Sequence, residues 1–222
     1  MRWYNSSIGK KFIMGLTGAL MVLFVIAHML GNLTIFAGPN GIDAYAEHLR
    51  TIPPLLWVFR LVMLGALVLH VWTGISLYLQ NKAARPVGYQ MKQNQKTTFS
   101  AENMIWTGLL LLVFIIYHLL QFTFHATNPA TYGFMDAAGR PDVFKMVVLN
   151  LQHFGIAAVY AAAMIVLLLH LRHGVQSLFQ SLGLTNDSTL PKLETGGRWT
   201  AGILMLGFIL IPITIFFGVV KL

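Results

Sequence analysis

Five apolar stretches dictate the architecture: Phe12–Phe36, Leu55–Leu79, Asn103–His125, Phe154–Phe179 and Thr200–Val220. Each is at least as long as the roughly 20 residues a helix needs to cross a bilayer. In hydrocarbon no water satisfies a free N–H or C=O, so a spanning segment has to satisfy its own backbone, as a helix does. The sequence therefore predicts an all-α membrane protein, a five-transmembrane-helix bundle forming one domain over residues 1–222. Composition agrees: 56% of the 222 residues are hydrophobic and 10% charged, against about 25% charged in a soluble domain. The first stretch is too long for a signal-peptide core, and no Ala-x-Ala-like site follows it, so it reads as a permanent helix.

The 15 Lys and Arg residues set an expected orientation. With the N-terminus inside, ten fall on the inner side: Arg2, Lys10, Lys11, Lys82, Arg85, Lys92, Lys96, Arg172, Lys192 and Arg198. The other five, Arg50, Arg60, Arg140, Lys145 and Lys221, fall outside. The positive-inside rule then predicts a cytoplasmic N-terminus and an outer C-terminus. It also accounts for the net charge of +8 without nucleic acid: anionic lipid or a cytoplasmic partner suits inner-loop lysines better. Two outer segments are longer than simple turns: Pro39–Pro54, with a helical turn expected at Asp43–Arg50, and Thr127–Asn150. The inner loop Leu182–Gly197 is polar, with Pro191 and two adjacent glycines. The chain has no Cys, which excludes disulfides, thiolate ligands and covalent c-type haem attachment.

Each of the first four apolar stretches has one histidine at greatest depth, where ionisable residues are costly and mark function. His28 and His118 lie eight and seven residues before the outer ends of their spans, roughly 10–12 Å deep at 1.5 Å rise per residue. His70 and His170 each lie nine residues before the inner ends, roughly 13–14 Å deep. Equal depth on different helices suits a clamp on one iron. The expected ligand pairs are His28 with His118 for an outer haem b, and His70 with His170 for an inner one. His70-x-x-x-Gly74 and His170-x-x-x-Gly174 share a spacing that puts each glycine on the histidine's face, where it would clear a porphyrin edge. Helix packing also explains small residues there. His173, one turn further in and next to Gly174, is the alternative ligand to His170. His48, His125 and His153 read as interfacial. Arg60 and Arg172 are candidates to balance haem propionates, Arg60 having interfacial snorkelling as its alternative. Thr17, Thr73, Asn32 and Gln121 are candidate partners for the histidine rings.

At this point the residues resemble a family. Ser6-Ser7-Ile8-Gly9-Lys10-Lys11-x-x-Met14-x-x-Thr17-Gly18, followed by His28-Met-Leu-Gly31-Asn32-Leu33, is similar to the cytochrome b subunit of succinate dehydrogenases of the cytochrome b558 type. So is His170-Leu-Arg-His-Gly174-Val-Gln-Ser177-Leu-Phe-Gln180-Ser-Leu-Gly183. The resemblance runs over essentially the whole chain and extends to the dihaem anchors of fumarate reductases. It implies a multi-pass subunit of the bacterial cytoplasmic membrane with two haems b. On the cytoplasmic side it implies a flavoprotein carrying FAD and an iron–sulfur protein, in a complex open to higher oligomers. It implies a quinone, menaquinone or ubiquinone, as the partner in the bilayer. Some related anchors carry a glutamate near the inner ligand on span four; Leu167–Leu171 has no acid here.

These residues predict an electron-transfer subunit that oxidises no succinate itself. For the quinone, the outer candidates are Asn32, Tyr45, Glu47, His48 and Gln121; the inner alternative is Ser7, Lys11 and Trp72. Two other functions fit parts of the pattern. A cytochrome b of a hydrogenase or formate dehydrogenase is also bis-histidine, and would differ in its co-purifying subunits. A transporter with a histidine proton relay would lack a Soret band.

Overall fold

The computed structural model describes residues 3–84, 87 and 97–222. Arg2, Arg85, Lys92 and Lys96, counted above among the inner cations, lie outside the described residues, as do Gln90, Gln93, Asn94 and Gln95. The described residues are all-helical in class, with five helices among them long and apolar enough to cross a membrane. They are α1 (Ser7–Leu33), α3 (Pro53–Ala83), α5 (Met104–Phe122), α7 (Phe154–Ser181) and α8 (Leu190–Phe216). Three shorter helices lie between them: α2 (Pro39–Arg50), α4 (Phe99–Glu102) and α6 (Val143–Leu151). The end of the bundle where α1 begins is termed inner.

Local chemistry sets the helix ends. Ser6 caps α1, its Oγ accepting the Gly9 N–H at 3.0 Å, as a short hydroxyl does at an N-cap. Beyond Leu33 the chain tightens into a 3-10 turn over Thr34–Ala37 and is stopped by Gly38 at φ 82°, a conformation glycine adopts without steric cost. α2 starts at Pro39 and α3 at Pro53, both with proline where its missing N–H costs nothing.

Three expectations change. The third span ends at Phe122, not His125; His125 itself has φ 55°. The fifth span begins at Leu190, ten residues before the expected Thr200, so the second half of the expected loop Leu182–Gly197 is helical. Pro191 sits in its first turn, and Gly197 lies against Val175 and the Arg172 carbonyl, letting α8 approach α7 closely. The outer segment Thr127–Asn150 contains α6, capped by Asp142, whose Oδ1 accepts the Lys145 N–H at 2.8 Å. Its residues Phe144, Val147, Val148 and Leu151 are buried, which is why a short helix persists in a connecting segment.

α1 packs on α3 and α7, α5 packs on α7 and more lightly on α3, and α8 covers α7 and α1. Four helices thus form a square. α1 and α5 face each other on one diagonal, α3 and α7 on the other, and neither diagonal pair packs closely. The outer core joins Ile35 and Ile42 to Phe144, Val148, Ile211 and Ile215. A deeper cluster joins Met29, Leu171, Val175, Ala201 and Leu204.

Candidate functional site

Four histidine rings of the bundle pair across its diagonals. His28 of α1 and His118 of α5 have ring centroids 5.8 Å apart. His70 of α3 and His170 of α7 are 6.5 Å apart. A metal bound at about 2 Å to an imidazole nitrogen on either side, with each ring centre roughly 1 Å further back, separates the centroids by about 6 Å. Both pairs fit that spacing, and none of the four residues is fully enclosed by protein.

The hydrogen bonds fix which nitrogen is free. The Thr107 hydroxyl donates to the Asn103 carbonyl at 3.0 Å. With that proton spent, its oxygen, 3.1 Å from His170 Nδ1, can accept Nδ1–H, the tautomer that leaves Nε2 its lone pair. His70 Nδ1 lies 3.2 Å from the Met14 carbonyl, which only accepts, and 3.4 Å from Thr17 Oγ1, whose proton goes to the Ile13 carbonyl. Its Nε2 is bare by the same reasoning. His118 Nδ1 lies 3.0 Å from the Tyr160 hydroxyl, and that hydroxyl donates to Gln121 Oε1 at 2.9 Å. Three of the four rings thus present an unprotonated Nε2, the form in which imidazole ligates a metal. His28 is oriented differently. Its ring stacks on Phe24 at 5.3 Å, and Asn32 Nδ2 donates to the His28 carbonyl at 2.8 Å and approaches both ring nitrogens at 3.4 Å.

Open space surrounds the two expected glycines: no described atom comes within 4 Å of a Cβ placed on Gly74, and one on Gly174 meets only Met104 Cε, at 3.9 Å. The glycines against the rings are Gly18, whose Cβ would sit 3.3 Å from His70 Cε1, and Gly108, whose Cβ would sit 3.2 Å from His170 Cε1. A signal for them is present in the sequence: Thr17-Gly18-x9-His28 and Thr107-Gly108-x9-His118 have the same spacing. On each helix the Thr-Gly pair serves the inner histidine of a neighbouring helix, while the histidine one level out joins the outer pair.

The remaining candidates separate. His170, not His173, is the ring paired with His70. Arg60 is exposed, its guanidinium 5.1 Å from the Trp57 ring centroid; Arg172 is exposed. Thr73 is buried and donates to the Leu69 carbonyl of its own helix at 2.7 Å. Trp72 is exposed, and Lys10 is buried with Nζ 5.7 Å from the Trp72 ring; Lys11 and Lys82 are exposed. Among the outer candidates, Gln121 is buried at 3% exposure and turned toward Tyr160, and Asn32 toward His28. The Tyr45 ring lies against Gly31. Glu47 and His48 are exposed on α2, with Glu47 3.8 Å from Arg140.

Outside the spans, Arg140 holds the Asp136 carboxyl below its ordinary range through its backbone N–H and guanidinium. Burial raises that of Asp43, whose Oδ1 accepts the Phe144 N–H at 2.9 Å. Burial, with Arg50 nearby, lowers His125, which stacks on Tyr132 at 3.5 Å.

Fold and site define a class: a helical multi-pass membrane protein with histidine pairs at two depths of its bundle. Comparison with family models, with characterised proteins and with solved structures finds no significant match.

Proposed function

We propose that this chain is the membrane anchor and electron-transfer subunit of a succinate:quinone oxidoreductase in a bacterial cytoplasmic membrane. The observation that carries the reading is the two diagonal histidine pairs, spaced for a metal and with Nε2 bare on at least three rings. Two haems b, one per pair, would supply one-electron redox chemistry at two depths of the bilayer. The protein's part is to hold the rings. Thr17 and the Met14 carbonyl orient His70, Thr107 orients His170, and Tyr160 orients His118. Gly18 and Gly108 keep side chains off the inner rings.

The sequence resemblance supports the partners: an FAD flavoprotein and an iron–sulfur protein, docked at the end where α1 begins and α3 ends. Lys11 and Lys82 are exposed there, whereas Lys10 is committed to Trp72. A quinone is the proposed electron acceptor at the outer end. Tyr45, Glu47 and His48, all on α2, are the residues left to meet it, since Asn32 is bonded to His28 and Gln121 to Tyr160 and Asn150. Glu47 and His48 are exposed carboxyl and imidazole side chains, the group types that pass protons in general acid–base chemistry.

The test is a pyridine haemochrome assay on the purified complex with identification of its subunits. Two low-spin haems b per chain, with a flavoprotein carrying FAD, is the expected result. One haem or none refutes the reading.

A further inference from the structure

A buried chain of side chains runs outward from His118, and its polarity is fixed along its whole length. It begins at Asn150, which is 1% exposed. The Asn150 amide nitrogen donates to the Met146 carbonyl and to Thr131 Oγ1, each at 2.8 Å. A carbonyl cannot donate, so this end of the amide is the nitrogen, and Oδ1 faces Gln121. Gln121 Nε2 donates to that Oδ1 at 2.9 Å, which leaves Gln121 Oε1 facing Tyr160. The Tyr160 hydroxyl donates to it at 2.9 Å. Its one proton being spent there, the phenol oxygen accepts from His118 Nδ1–H at 3.0 Å. Each amide flip is thus set by the link before it, back to a backbone carbonyl of α6.

We propose that this relay, Asn150–Gln121–Tyr160, positions His118 and sets the redox potential of the outer site independently of the inner one. The inference rests on the reading that His28 and His118 hold a haem. An acceptor on Nδ1–H makes the imidazole a stronger donor through Nε2 and stabilises the oxidised metal, which lowers the potential. The inner rings lean on hydroxyls and a carbonyl of nearby helical backbone. The outer ring leans on three side chains that reach from α7 through α5 to α6, so a change in α6 reaches it and spares the inner pair.

The experiment is a redox titration of the purified complex, followed at the haem bands and by low-temperature EPR, for Tyr160→Phe and Gln121→Leu. His170→Ala identifies the outer potential by removing the inner site. Tyr160→Phe deletes the acceptor. Gln121→Leu keeps the phenol but removes the acceptor of its proton, the bond that holds the phenol oxygen toward His118 and strengthens it as an acceptor. Both should raise the outer potential by about a tenfold change in the oxidised-to-reduced ratio, about 59 mV for one electron. The inner potential and the haem content should not move. If Tyr160→Phe loses the outer haem, Gln121→Leu decides. Two retained haems with an unmoved outer potential in Gln121→Leu overturn the relay and leave the functional reading standing. A wild-type complex without haem overturns that reading and the relay with it.

Discussion

Thr17 and Thr107 occupy equivalent places, yet their substitution by valine should have unequal effects. Valine matches threonine in shape and removes only the acceptor. His170 Nδ1–H has Thr107 at 3.1 Å as its hydrogen-bond partner among the described residues. With a ligand holding Nε2, the ring cannot switch tautomer, so Thr107→Val leaves a buried N–H unpaired. Such a group costs about 1–3 kcal/mol, which is roughly 5- to 150-fold in an equilibrium constant. His70 Nδ1 has the Met14 carbonyl at 3.2 Å as well as Thr17 at 3.4 Å, so Thr17→Val leaves it bonded. The loss there should stay near the mean for a side-chain hydrogen bond between membrane helices, about 0.6 kcal/mol or roughly threefold. The assay is transfer of haem from detergent-solubilised complex to an apo-globin scavenger, followed spectrally. Thr107→Val should release the inner haem faster by at least several-fold more than Thr17→Val, with the outer haem unaffected in both. A Thr17→Val effect equal to or larger than that of Thr107→Val would refute the assignment of partners.

Three further outcomes follow from the geometry. His170→Ala should abolish the inner haem and spare the outer one, while His173→Ala retains both; haem content and EPR of the two variants read this directly, and the reverse pattern would make His173 the ligand. Replacing Glu47 and His48 together should lower quinone reductase activity while succinate oxidation with artificial acceptors and haem content persist; unchanged quinone reduction would move the site off α2. Because Arg140 depresses the Asp136 carboxyl, that group contributes stability which is present above the ordinary carboxylate pKa of 3.8 and lost as pH falls through the lower folded value. Limited proteolysis with an acid-active protease should therefore find the Asp136–Arg140 turn protected at pH 5 and opened only below about pH 4, and Asp136→Asn should abolish the dependence.

The sequence by itself determined the five helices, because lipid leaves the backbone no alternative and apolar length is read directly from residue type. It also determined the depth of His28, His70, His118 and His170, because helical rise is constant. Tertiary structure decided everything that depends on azimuth. Gly74 and Gly174 share a face with their histidines and border open space; the glycines that touch the rings, Gly18 and Gly108, belong to other helices and become neighbours only through the square packing. Arg60 came to lie over the ring of Trp57 on its own helix, a placement that depends on which way the long side chain turns and not on its position in the sequence. The start of α8 across Pro191 and the glycines needed α7 as a partner surface, which local propensity does not contain. Tyr160 is an aromatic residue in an apolar stretch like several others. Only its meeting with His118 from α5, and with Gln121 held by Asn150 of α6, gives its hydroxyl a direction. Hydrogen-bond polarity is a property of the assembled chain of partners, and no single segment carries it.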